Sequence, residues 1–149
     1  MNVAILFGRK NSKSIKNKNI LKIFSKPMFM YPLSAAKKVK EINKIYVSSD
    51  SKYILNQARK NGCIPINRPK YLCNDKALLE DAIQHAVNYC QNMNNNGITN
   101  FVILLCNSIC VKSSDIEKGL KILKKNKKFD TVTTVSKFNN FSPVRAKKI

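Results

Sequence analysis

Short apolar runs alternate with segments of helical spacing along almost the whole chain, and this alternation leaves few folds open. Residues 2–7 ("NVAILF") are apolar apart from the first and stop at Gly8, the pattern of a strand buried on both faces. "PLSAAKKVKE" follows from Pro32 as a short helix with its proline in the first turn. A second strand is expected over residues 44–49. Ser51 is placed to cap a helix in which Ile54, Leu55 and Ala58 share a face and which Gly62 stops. "CIPI" reads as a brief third strand, and residues 77–91 as a longer helix with Leu79, Ala82, Ile83, Ala86 and Cys90 at helical spacing. "FVILLC" is the strongest strand signal. Ser114 with Glu117 makes a capping-box pattern ahead of the stripe Ile116, Leu120 and Leu123, and "TVTTVS" closes the series as a fifth strand. Strands alternating with helices imply a mainly parallel sheet, so the expected fold is α/β, a three-layer Rossmann-like sandwich.

A chain of 149 residues supports one domain with a real core, and a single unit spanning residues 1–149 is expected. No run approaches the roughly 18 to 20 apolar residues of a membrane helix. "VAILF" is too short for the core of a signal peptide, so the cytoplasm is the expected location. Five cysteines without a CxxC pair argue against a disulfide framework or a zinc knuckle and for buried, reduced thiols. The net charge of +20 would attract polyanions. The lysines are nevertheless spread over most of the chain, and with the excess of asparagine and isoleucine they read as a general residue bias rather than one designed patch.

In parallel α/β sheets ligands gather outside the carboxyl ends of the strands. The loops to inspect are therefore residues 8–19, 48–51, 67–75, 106–112 and 136–145, which hold Arg9, Lys13, Lys18 and Asn19, then Asp50, Arg68, Asn107 with Ser108, and Arg145. Four glycines in the whole chain give no GxGxxG and no Walker loop, which disfavours dinucleotide and P-loop enzymes. The one histidine, His85, falls mid-helix, away from any strand end, and reads as an ordinary structural or surface residue. Phosphoryl and nucleotidyl transfer asks for less, because the protein mostly positions phosphates and neutralises developing charge. A rim of arginine, lysine and asparagine suits that work, with lysines as point charges and Arg9 as a fork.

"RKNSKSIKNKNI" resembles the signature loop of the acylneuraminate cytidylyltransferases, the CMP-sialic acid synthetase family, with Arg9, Ser12, Lys13, Lys18 and Asn19 on its positions. "KPMFMYPLSAA", "IYVSSDS" and "NRPKYLCND" resemble, in order, the family's helix entry, strand end and Arg-Pro loop. The resemblance implies the nucleotide-diphospho-sugar transferase type of sandwich. It further implies transfer of CMP from CTP to a nonulosonic sugar acid, with release of pyrophosphate and a magnesium requirement. Arg9 and Lys18 would face the triphosphate as the catalytic cations, Ser12 and Lys13 would shape the phosphate loop, and Asn19 would contact the nucleotide. Arg68 would approach the cytosine, and Asn107, Ser108 and Arg145 would lie on the sugar-acid side.

The sequence also departs from that pattern. Lys10, Asn11 and Ser14 stand where the family has glycines, Lys16 where it has proline, and "CNSICVK" (residues 106–112) where it has Gln-Pro-Thr-Ser-Pro-Leu-Arg. The family continues past the point where this sequence stops, with aspartates that hold magnesium and contacts of a homodimer, so the domain is expected to be incomplete at its carboxyl end. Asp50 and Asp75 each read equally as a helix cap or a site residue. A catalytically inactive remnant that binds nucleotide stays open as an alternative. A basic nucleic-acid-binding module is less supported, because aromatics do not interleave with the lysines.

Overall fold

The computed structural model describes residues 1–11 and 15–135. Four strands form one sheet: β1 (Asn2–Phe7), β4 (Ile42–Ser49), β5 (Ile64–Asn67) and β6 (Asn100–Leu105). Their order is β5-β4-β1-β6 and every pair is parallel. The connections carry the helices α1 (Met30–Lys37), α2 (Lys52–Lys60), α3 (Leu79–Met93) and α4 (Ser113–Lys125). A two-stranded antiparallel hairpin, β2 (Lys22–Ile23) with β3 (Lys26–Pro27), sits between β1 and α1.

The central position of β1 explains why it is apolar throughout. Ala4 and Leu6 face one layer, where Leu33 and Ala36 of α1, Ile54 and Ala58 of α2, and Ile116 and Leu120 of α4 pack with them. Val3, Ile5 and Phe7 face the other, against Ala82, Ala86 and Cys90 of α3. Three layers result, with the sheet in the middle. Ser51 caps α2 as expected, its side chain accepting from the Ile54 amide at 3.4 Å. Gly62 takes the left-handed φ of +71° that ends the helix segment.

Two expectations are corrected. The described part of the anticipated fifth strand, residues 131–135, pairs with no strand, and Val135 is 88% exposed. β-branched alternation describes fit to a half-buried pleated surface, and here no such surface is engaged. Ser136 lies outside the described residues. The capping signal before α4 is also shifted: the helix begins at Ser113, and the Asp115 carboxylate, not Glu117, accepts the Lys112 amide at 3.2 Å. A lysine side chain has no acceptor to return, so only the carboxylate half of a capping box is made.

Candidate functional site

A cleft of about 330 Å³ opens above the carboxyl ends of β1, β5 and β6. Five of the residues selected from the sequence line it: Arg9, Lys18, Asn19, Arg68 and Asn107. Ser108 does not line it, although it directly follows Asn107. Ser12, Lys13 and Arg145 lie outside the described residues.

The ladder hydrogen bonds run past the strand ends and deliver these loops. The Gly8 amide donates to the Ser48 carbonyl at 3.1 Å, the Cys106 amide to the Phe7 carbonyl at 2.9 Å, and the Arg68 amide to the Ser49 carbonyl at 3.0 Å. A Cβ on Gly8 would meet the Cys106 Sγ at 2.3 Å, so glycine is what lets the first and last loops leave the sheet side by side. Burial pushes the Cys106 thiol up to about 12, keeping it protonated and inert.

Arg68 is the most constrained cation of the cleft. It is 7% exposed, yet among the described residues no carboxylate lies within ion-pairing distance. Its Nε donates to Ser48 Oγ at 3.2 Å and its Nη2 to the Ser48 carbonyl at 2.8 Å, while the guanidinium stands over the Phe7 ring at 5.7 Å. Burial lowers its pKa, with the charge of Asp50 acting against that shift. Arginine remains protonated in proteins, so the cleft keeps a fixed, desolvated positive charge.

Arg9 is held differently. Its Nη1 donates to Asp75 Oδ1 at 3.1 Å and to the Asn74 carbonyl at 3.3 Å, bridging the loops after β1 and β5. Asn19 is buried in the short 3₁₀ turn Lys18–Ile20, and its Nδ2 donates to the Arg9 carbonyl at 2.9 Å. It therefore fixes the shape of the loop. Asp50 caps nothing: its Oδ1 accepts the Lys10 amide at 2.6 Å, and Ser51 takes the cap. Asp75 is not an N-cap either, because α3 begins after Leu78.

The opposite wall of the cleft, Leu72, Leu78, Leu79 and Ala82, was not foreseen as part of the site. Leu78 and Leu79 are 62% and 42% exposed, side by side at the start of α3. The sequence offered one signal for them, two consecutive leucines of which only the second fits the helical stripe. His85 lies in α3, half-buried, with Nδ1 lacking a hydrogen-bond partner among the described residues, and it does not line the cleft.

No group of three histidine, cysteine, aspartate or glutamate residues that could hold a metal occurs among the described residues. Asp50 and Asp75 are tied to the Lys10 amide and to Arg9. Magnesium that arrives with a polyphosphate needs only one or two protein carboxylates, and Asp75 lines the cleft.

A parallel α/β sandwich with a cleft at its strand ends, lined by Arg9, Lys18 and Arg68 together with leucines, has its pocket where sheets of this class bind ligands. The cytidylyltransferase family model matches residues 3–148, and the chain belongs to that family. It is 33% identical over 148 residues to the Helicobacter pylori protein named pseudaminic acid cytidylyltransferase and UDP-2,4-diacetamido-2,4,6-trideoxy-beta-L-altropyranose hydrolase. It is 28% identical over 142 residues to the N-acylneuraminate cytidylyltransferase of Escherichia coli. These matches cover 97% and 95% of this chain but 27% and 33% of the relatives, so the chain spans about a quarter to a third of their length. The solved structure of CMP:2-keto-3-deoxy-manno-octonic acid synthetase complexed with CTP superposes with a TM-score of 0.67 at 17% identity, over 85% of this chain and 48% of that one. That likeness shows the same Rossmann-like α/β fold.

Proposed function

We propose that the cleft binds CTP, and that the chain serves transfer of CMP from CTP to a nonulosonic sugar acid with release of pyrophosphate. The observation that carries this reading is Arg68, a buried guanidinium with no carboxylate partner among the described residues, opening onto the same cleft as Arg9 and Lys18. Leaving a desolvated charge without a partner is costly unless a ligand supplies acceptors.

In the reaction the anomeric hydroxyl of the sugar acid attacks the α-phosphorus, and the bond to pyrophosphate breaks. Negative charge accumulates on the departing pyrophosphate, where Arg9 as a fork and Lys18 as a point charge would stabilise it. Arg68, locked against Ser48 and Phe7, would meet the acceptor edge of the base; its fixed position suits reading a planar group. Asn107, at the end of β6, would face the sugar acid. Ser12, Lys13, Ser108 and Arg145 remain in the proposal on the strength of the sequence resemblance. Magnesium belongs to the same reading on the strength of the sequence resemblance. So do a homodimeric assembly of the full-length protein and a cytoplasmic setting; no helix among the described residues is long and apolar enough to cross a membrane.

One observation favours binding without turnover for residues 1–149 alone, namely that no cluster of three metal-ligating side chains occurs among the described residues. Loss of a Lewis acid at the phosphates would cost several kcal/mol of barrier. Calorimetric titration is expected to show CTP preferred over ATP and GTP, and Arg9→Ala to weaken CTP by roughly 1.5–3 kcal/mol. Equal affinity for the three triphosphates would overturn the reading. Pyrophosphate release, assayed with a sugar-acid panel beginning with the pseudaminic acid named for the Helicobacter pylori relative, is expected to be slow for residues 1–149. Rapid turnover would show that residues 1–149 build their own metal site.

A further inference from the structure

The backbone at Arg9 is clamped while its side chain is only lightly held. Three hydrogen bonds fix the backbone: the Gly8 amide to the Ser48 carbonyl at 3.1 Å, the Lys10 amide to Asp50 Oδ1 at 2.6 Å, and Asn19 Nδ2 to the Arg9 carbonyl at 2.9 Å. The guanidinium is instead tied by the ion pair to Asp75, in which the two side chains are 35% and 52% exposed. A pair this open to water holds its partners together by no more than about fivefold. Both contacts run through Nη1, so the pairing is not the two-nitrogen fork that arginine makes best with carboxylate or phosphate oxygens.

Asp75 is presented by a turn that braces itself. Asn74 Oδ1 accepts the amides of Lys76 and Ala77 at 2.9 and 2.8 Å, and Asn74 Nδ2 donates to the Tyr71 carbonyl at 2.9 Å. The carboxylate thus stands in a defined place at the edge of the cleft, in contact with the cation that an incoming phosphate would need.

We propose that Asp75 is a positioning counter-ion: it occupies Arg9 until a phosphate ligand displaces it, and thereby imposes a cost on every ligand that uses Arg9, one that a triphosphate overcomes more readily than a monophosphate. A triphosphate brings enough charge and acceptors to take the guanidinium and outweigh repulsion from the carboxylate. A monophosphate competes with Asp75 on nearly equal terms. The proposal rests on the nucleotide reading above and adds a residue which that reading does not use.

The test is calorimetric titration of inorganic tripolyphosphate, CTP and CMP into the unaltered protein, Asp75→Asn, Arg9→Gln and the double variant, at one fixed ionic strength. Asp75→Asn is expected to tighten tripolyphosphate and CMP roughly three- to tenfold, from loss of the competing pair and of like-charge repulsion. CTP should gain at least as much as CMP, because both must displace the same pair and the more highly charged ligand is relieved of more repulsion. In the Arg9→Gln background the same change should have little effect, a dependence that a merely structural role of Asp75 would not show. Weaker or unchanged binding by a folded Asp75→Asn protein would overturn the proposal. So would an equal gain with Arg9 absent, which would make Asp75 a general source of repulsion. If Asp75→Asn melts early, Asp75→Ser is read in its place. Failure of CTP to exceed ATP and GTP would defeat the nucleotide reading alone, because the tripolyphosphate titrations decide Asp75 independently.

Discussion

Gly8 shows how much one residue decides at this rim. Its missing Cβ leaves room for the Cys106 side chain, whose Sγ and Cβ would otherwise lie 2.3 and 3.0 Å away, between two strands that are already fully packed. Gly8→Ala is therefore expected to destabilise the fold by about 1–3 kcal/mol, the usual cost of overpacking a core. The loss should be smaller when Cys106→Ala removes the sulfur. Thermal melting of the two single variants and the double variant measures this, and an equal loss in both backgrounds would refute the contact. Arg68 makes the complementary point. An arginine after a strand could be predicted to face a ligand, but its stacking on Phe7 and its bonds to Ser48 depend on strands 20 residues or more apart in sequence. The side chain was legible, and the cradle that immobilises it was not.

At the level of elements, α2 is nine residues long, too short to be stable by propensity, so its cap and its packed face share the work. Ser51→Ala removes the acceptor for the Ile54 amide and should cost about 1 kcal/mol. Urea denaturation gives the value, and no change in midpoint would mean that Asp50 or water takes over the cap. This helix was visible in the sequence because capping, apolar spacing and the stopping glycine are local signals. The parallel pairing and the three-layer packing follow from the same alternation, whereas the strand order β5-β4-β1-β6 does not. The β2–β3 hairpin had no such signal. Its two-residue turn places Phe24 and Ser25 at φ of 46° and 66°, a conformation that asparagine and glycine normally supply. The fifth strand failed for the opposite reason, since its pattern was clear but its described part, residues 131–135, does not pair with the edge that β6 leaves open. Asp75 illustrates the same limit at the site, because its partner Arg9 is 66 residues away.

Across the whole molecule the charge of +20, from 28 basic and 8 acidic residues, is a liability for compactness as well as an attraction for phosphates. At low ionic strength each lysine repels others up to about 30 Å away, whereas near physiological salt that reach falls to about 8 Å. Raising the salt from about 0.01 to 0.15 M should therefore raise the melting temperature, by roughly 2–4 °C for each kcal/mol of repulsion screened. A flat or falling melting temperature would show that repulsion among these charges does not limit stability. The placement of β1 carries a different consequence, one that concerns synthesis. Of the sheet's four strands it leaves the ribosome first, yet one of its two neighbours, β6, begins 98 residues later, where Asn2 meets Asn100. At roughly 5–20 residues per second that neighbour arrives about 5–20 s afterwards. Until then the nascent chain carries an apolar strand with an open edge, so the segment that finally anchors the sheet is also the one longest at risk of pairing with the wrong chain.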